Sequence, residues 1–171
     1  MKRDRAGARC KIDMEIRPAN EADIPRLLRL MRELALFEKY DKAFAITEEV
    51  LREQGFRRSP LDFYSLVAEE NRQLIGMLVY YFVPFTYRAK PNLIIKELYV
   101  ADKHRSKGVG ELLMKAVAAE ATKANCGQIK WWVAKWNARS IQFYERLGAK
   151  IDDEWHEFQM SEEVFRKLAQ P

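Results

Sequence analysis

The sequence predicts an α/β domain on a central, mostly antiparallel sheet, and three observations carry that reading. Strand-like and amphipathic helical runs follow one another in the order β-α-α-β-β-β-α-β-α-β-α. In the first half, a tight Asn71-Arg72 turn joins two apolar runs, as in an antiparallel hairpin. In the second half, strand-like runs alternate with helix-length segments.

Each element has its own signal. Glu15–Pro18 reads as a short strand. Asn20 is placed to cap a helix over EADIPRLLRLMRELALFEKY, where Ile24, Leu27, Leu28, Met31, Leu34 and Ala35 recur at helical spacing. Thr47 is placed to cap a second helix, EEVLREQGF, which stops near Gly55. Tyr64–Glu69 and Leu74–Val83 form the hairpin. A loop over residues 84–92, bounded by Pro84 and Pro91, leads to a strand over Leu93–Val100. ADKHRSKGVG then turns into the helix ELLMKAVAAEATKAN. Gln128–Lys135, rich in Trp and Val, reads as a strand. Asn137 caps the helix ARSIQFYERL, which Gly148 ends in the left-handed position. A last strand is expected near Trp155–Met160, and Ser161 is placed to cap a final helix, EEVFRKLA.

Composition narrows the function. At 171 residues, with 48% apolar and 32% charged side chains, the chain is sized for one domain with one core. Lys2, Arg3, Arg5, Arg9 and Lys11 against Asp4 hold most of the net charge of +5. Setting those five basic and one acidic groups apart from the totals of 30 and 25 leaves 25 basic and 24 acidic groups. The body of the chain is nearly neutral, which argues against a nucleic-acid partner; a module binding DNA through the basic start is the reading that salt-dependent affinity would support. Residues 1–13 are expected to be a flexible basic tail, and 14–171 a single domain beginning at Met14. Cys10 and Cys126, with His104 and His156, offer no metal-ligand spacing, so no metal is expected. No apolar run reaches membrane-spanning length, and the basic start lacks the apolar stretch of a secretory signal. The expectation is a cytoplasmic protein with no membrane partner.

The chemically informative segment is Arg105-Ser106-Lys107-Gly108-Val109-Gly110, between a strand and a helix. Glycines there let backbone N–H groups approach a ligand, and the helix behind presents unpaired amides and a positive dipole end. Such a mouth accepts pyrophosphate, with Arg105 and Lys107 adding charge. Taken alone, a GxG is equally compatible with an ordinary turn carrying exposed basic residues. Neither the P-loop spacing nor the GxGxxG of a dinucleotide fold is present.

The segment resembles the [Q/R]xxGxG/A pattern of the GNAT acetyltransferase family. The resemblance extends to the spermidine/spermine (diamine/thialysine) acetyltransferase-like branch through IRPANEADIPRLLRLMRELALFEKY, VYYF and VAKWNARSIQFYERLGA, and covers residues 15–170. It implies a GNAT fold: a mixed, mostly antiparallel sheet with helices on both faces and a splayed parallel strand pair that binds acetyl-CoA as co-substrate. It also implies an N-acetyltransferase acting on a small-molecule primary amine by direct attack in a ternary complex, and packing as a homodimer. Backbone groups of Leu98, Tyr99 and Val100 would then hold the pantetheine arm. Arg105, Ser106, Lys107, Gly108, Val109 and Gly110 would hold the pyrophosphate, with Asn137 and Ser140 near the cofactor. Tyr144 matches the general acid beside the CoA sulfur, and Glu97 matches an acidic position suited to a general base; read as residues only, Tyr144 is also a core aromatic and Glu97 an exposed strand carboxylate. Glu154 and Trp155 match a segment on the acceptor side.

Lys96 departs from the branch, which has an acidic pair where this chain has Lys96-Glu97. An ammonium there repels a polycation by roughly 1–4 kcal/mol at about 4 Å. Arg88 and Lys90 shift the preceding loop the same way. The expectation is an acceptor that also carries a carboxylate, such as an amino acid. A protein or peptide acceptor, and a GNAT-fold sensor that binds CoA without catalysis, are the alternative readings.

Overall fold

Apolar side chains leave both faces of one sheet, and a helical layer covers each. The computed structural model describes residues 14–170, so the tail expected over residues 1–13 lies outside the described residues. The sheet runs in the order β1 (Met14–Pro18), β2 (Tyr64–Glu70), β3 (Gln73–Val83), β4 (Asn92–Val100), β5 (Gln128–Lys130). The first four strands form an antiparallel meander, and β5 lies parallel to β4. Helix α3 (Val109–Lys123) makes the crossover between them.

On β2, Val67 enters one core while Leu66 and Ala68 enter the other. The first core is closed by α1 (Ile24–Phe37) and α2 (Glu48–Arg52), whose Ile24, Leu27, Leu28, Met31, Leu34 and Leu51 meet Leu74, Met77 and Val79 of β3. The second is closed by Val109, Leu113, Val117 and Ala121 of α3 against Ile75, Leu78, Leu93 and Ile95. Gly76 admits α3 to the sheet: a Cβ there would stand 3.1 Å from the Tyr99 carbonyl oxygen and 3.3 Å from both Leu113 Cδ1 and Val109 Cγ1.

The helix starts lie where their capping residues predict. Asn20 accepts from the Ala22 amide, Thr47 from Val50, Asn137 from Ser140 and Ser161 from Val164. The α2 segment departs from a plain helix by widening into a π turn over Glu53–Arg57.

The described chain separates into two compact units, the second starting at Val133. The second contains α4 (Ala138–Arg146) and α5 (Glu162–Leu168). Gly148 follows α4 at φ +89°, the left-handed stop expected there. Two strand expectations are corrected. The run Gln128–Lys135 is a strand only over Gln128–Lys130, because its ladder to β4 stops at Ile94↔Lys130. No strand forms over Trp155–Met160, because none of the described residues pairs with that segment, and β propensity without a hydrogen-bonded neighbour does not make a strand.

A buried ionic knot ties β1, β2 and the start of α1 together. Asp23, with a fully buried side chain, accepts from Arg17 at 2.6 and 3.0 Å, from Arg26 at 2.7 Å and from the Asn20 amide at 2.9 Å. Arg17 also donates to Glu69 of β2, Nε at 3.1 Å. The Arg17 hydrogen bond, outweighing burial, holds the Asp23 carboxyl below its ordinary range. Asp23→Asn is therefore expected to cost about 2–4 kcal/mol in urea unfolding at pH 7. Because the folded pKa is depressed, this stabilisation is present above about pH 4 and is lost as pH falls through the folded value, so the two proteins should converge in acid.

Candidate active site

One extra residue in β4 shapes the site. Val79 of β3 faces Glu97 and Tyr80 faces Ile95, so Lys96 has no partner and forms a bulge. Regular alternation would keep positions 93, 95, 97 and 99 on one face. Instead Leu93 and Ile95 lie in the α3-side core while Tyr99 lies in the α1-side core. On the far side of β4, pairing with β5 covers only Asn92, Leu93 and Ile94. Beyond the bulge, the edge of β4 through Leu98, Tyr99 and Val100 carries no strand among the described residues.

The same phase change takes Glu97 toward the end of α1. That helix ends in a left-handed turn, with Lys39 at φ +64° and the Tyr40 amide donating to the Ala35 carbonyl at 3.0 Å. Glu38 and Tyr40 are thereby set in the field of Glu97. The Oε2 of Glu97 is buried with no hydrogen-bond partner among the described residues. Burial pushes its carboxyl up to about 7; exposed Lys96 opposes the rise and Glu38 adds to it. Burial also pushes the Tyr40 phenol up to about 12, with Glu97 and Glu38 contributing. A carboxyl that changes charge near neutrality can take up a proton during a reaction at physiological pH. Glu38 and Tyr40 are absent from the sequence-based site; the polar run Glu38-Lys39-Tyr40-Asp41 directly after an amphipathic helix is the signal that marks them.

At the C-terminal end of β4 the chain turns through Asp102–His104 and the Arg105–Gly108 loop into α3. Ser106 at φ +63° and Gly108 at φ +82° set the turn. The first α3 bond runs from the Leu112 amide to the Gly108 carbonyl at 3.1 Å, so the amides before it look out of the helix end. Nothing lies within 4 Å of where a Gly108 Cβ would stand. Lys107 is exposed beside this opening. Arg105 is turned elsewhere: its Nε donates to the Val100 carbonyl at 2.9 Å and its guanidinium pairs with Asp102 at 2.8 Å. The Arg105 pairing thus engages the Val100 carbonyl and the Asp102 carboxylate.

In the second unit, Asn137 Oδ1 caps α4 at Ser140 N, 3.2 Å away, and the Tyr144 ring lies 5.1 Å from that of Phe143. Glu154 donates its amide to Asp152, and Trp155 follows in irregular chain. Tyr80 belongs to packing: it stacks on Tyr64 at 5.4 Å and meets the edge of Phe82.

A strand edge without a strand neighbour, a buried carboxylate and a glycine-bearing helix start thus lie along the C-terminal half of β4 and the turn after it. Residues 26–149 match the Acetyltransferase (GNAT) family model, and the chain belongs to that family. It is 35% identical over 165 residues to a thialysine N-epsilon-acetyltransferase of Sus scrofa, covering 90% of this chain and 96% of the relative. A spermidine/spermine N(1)-acetyltransferase-like protein 1 of Homo sapiens is 32% identical over 165 residues, 91% of this chain and 24% of that protein. In fold, an integron cassette protein from the mobile metagenome of V. cholerae superposes with a TM-score of 0.76 at 23% identity, covering 92% of this chain and 98% of the other. The chain is thus an N-acetyltransferase of the branch its motifs resemble.

Gly108→Ala is expected to lower stability by about 1–2 kcal/mol through backbone strain alone, since an L side chain resists the left-handed position and no neighbour obstructs it. Gly127→Ala is the control, because its Cβ would make only ordinary contacts of 3.5 and 3.6 Å. Thermal unfolding of the two variants should separate them.

Proposed function

We propose that the chain transfers the acetyl group of acetyl-CoA to the primary amine of a small molecule that also bears a carboxylate. The carrying observation is Lys96: an exposed ammonium at the bulge, next in sequence to the buried Glu97 carboxylate. The edge of β4 from Leu98 to Val100, where no strand pairs and only the Val100 carbonyl is engaged by Arg105, is suited to the pantetheine amides, and the amides of Lys107–Gly110, with the Lys107 side chain, to the pyrophosphate. Residues 14–171 act as one catalytic domain in this reading, with Asn137 and Ser140 at the cofactor, Glu154 and Trp155 toward the acceptor, and the cytoplasm as compartment. No helix among the described residues is long and apolar enough to cross a membrane. The exposed apolar side chains of Ile151, Trp155, Phe158 and Leu168 support a homodimer.

In the proposed reaction, Glu97 accepts a proton from the bound ammonium and the freed nitrogen attacks the thioester carbonyl carbon. The carbon–sulfur bond breaks, the departing thiolate takes the phenolic proton of Tyr144, and the second proton of the acylated nitrogen returns to the phenolate, which leaves the amide, the free thiol and one proton on Glu97 to pass to solvent. Glu97 works only when ionised, so kcat should rise with pH through about 7 and fall below it. Glu97→Gln should lower kcat about a hundredfold or more and remove that limb of the profile; a retained limb assigns the base elsewhere.

Acceptor choice is tested by thiol release from acetyl-CoA across spermidine, lysine analogues and amino acids. Amine-bearing amino acids should exceed spermidine in kcat/KM, and Lys96→Glu should raise the spermidine value about tenfold, the lower end of a unit-charge reversal at close range. Efficient spermidine turnover by the unmodified protein would overturn the carboxylate-bearing acceptor.

A further inference from the structure

Arg105 is the basic residue of the phosphate-loop motif, yet its guanidinium is held by protein on several sides. The carbon at its centre lies 4.9 Å from the Phe37 ring centroid and 5.2 Å from that of Tyr99. Its Nε–H donates to the Val100 carbonyl at 2.9 Å and Nη2 pairs with Asp102 at 2.8 Å. Its side chain is only 24% exposed. Phe37 is the last residue of α1, Tyr99 and Val100 end β4, and Asp102 opens the turn into the loop. One side chain therefore joins the C-terminal turn of α1, the end of β4 and the loop before α3.

We propose that Arg105 is a positioning residue, a strut that fixes the Ser106–Gly108 turn against the Phe37 end of α1, and that it does not itself bind phosphate. The loop it braces has two successive demands on the backbone, the left-handed Ser106 and Gly108, with Lys107 between them. Ser106 carries a Cβ, so its left-handed conformation is strained in a way that Gly108 is not and is held by its surroundings. Arg105 sits immediately before it and supplies four contacts. A guanidinium between two aromatic rings, bonded to a carbonyl and a carboxylate, has spent its geometry on protein partners. The α1 turn that receives it carries Glu38 and Tyr40, one and three residues beyond Phe37, so the strut also links the loop to the surroundings of Glu97. The consequence for CoA binding rests on the pyrophosphate reading above; the strut itself does not.

The test uses Phe37→Leu and Arg105→Lys in the full chain. Phe37→Leu stays apolar and leaves every charge of the motif in place, while Arg105→Lys keeps the charge but loses the planar fork. In the ligand-free protein, amide hydrogen exchange of Leu112, which donates to the Gly108 carbonyl of the loop, is expected to rise about tenfold in both variants, the scale of a partly buried cation–π contact. The double variant should exchange little faster than Arg105→Lys, because the two changes break one contact. CoA, titrated by calorimetry, should then bind about tenfold more weakly to Phe37→Leu. Unchanged Leu112 exchange in Phe37→Leu overturns the strut, as does additivity in the double variant. Faster exchange with unchanged CoA affinity leaves the strut standing and overturns the pyrophosphate reading.

Discussion

The unpaired Lys96 in β4 is the constraint from which the site follows. Strand periodicity is two, so a single extra residue exchanges the faces of everything after it. Glu97 and Tyr99 move toward α1, and Leu98 and Val100 toward the α3-side core. The same change of direction ends the ladder between β4 and β5 after Ile94. A fully regular β4 would have kept its neighbour to the end of the strand, with its edge amides consumed. One irregularity thus produces a buried titratable group and a bare strand edge within four residues of each other.

That arrangement costs stability, and the rest of the domain absorbs it. A carboxylate withdrawn from water without a partner is disfavoured in its charged form, which is what raises its pKa. The compensation lies away from the site. The sheet is packed on both faces, and Asp23 shows the opposite treatment of a buried carboxylate: three donor groups, from Arg17, Arg26 and Asn20, surround it and keep it ionised. Two buried acids in one small domain therefore have opposite charge behaviour, set by whether donors were placed around them. The satisfied one anchors the fold, and the unsatisfied one is available for chemistry.

Much of this was legible in the sequence, for identifiable reasons. The helices were readable because apolar spacing and capping agree, as at Asn20 and Thr47, where local side chains bond local amides. The meander was readable from the Asn71-Arg72 turn, whose two residues both adopt positive φ. The turn into α3 was readable because Gly108 and the helix after it act locally. What escaped depends on pairing across the chain. Trp131-Trp132-Val133 has strand propensity, but whether it becomes a strand depends on a bulge 35 residues earlier in the neighbouring strand. Trp155–Met160 has the composition of a strand and no ladder to join. Arg105 was legible as a motif residue, but the direction of its side chain was not, since Phe37 and Tyr99 come to it only in three dimensions.

The C-terminal turn of α1 emerges as the part that joins the two ends of the site. Phe37 receives Arg105 at the end beside the Ser106–Gly108 loop, while Glu38 adds its field to Glu97 near the bulge and Tyr40 lies in the field of both carboxyls. A helix end is stiff along its axis, and here the left-handed Lys39 closes it with main-chain bonds, so these three side chains hold fixed relative positions. Any shift of the loop that moves Phe37 also moves Glu38, and with it the electrostatic surroundings of Glu97. Lys96 works in the opposite sense, pulling the Glu97 pKa down while Glu38 pushes it up. Replacing the lysine by an acid would therefore do two things at once: make the surroundings more hospitable to polycations and raise the pKa of Glu97 further. In the proposed reaction, acceptor selection and proton uptake share this one position, so an exchange of the lysine for an acid would alter both.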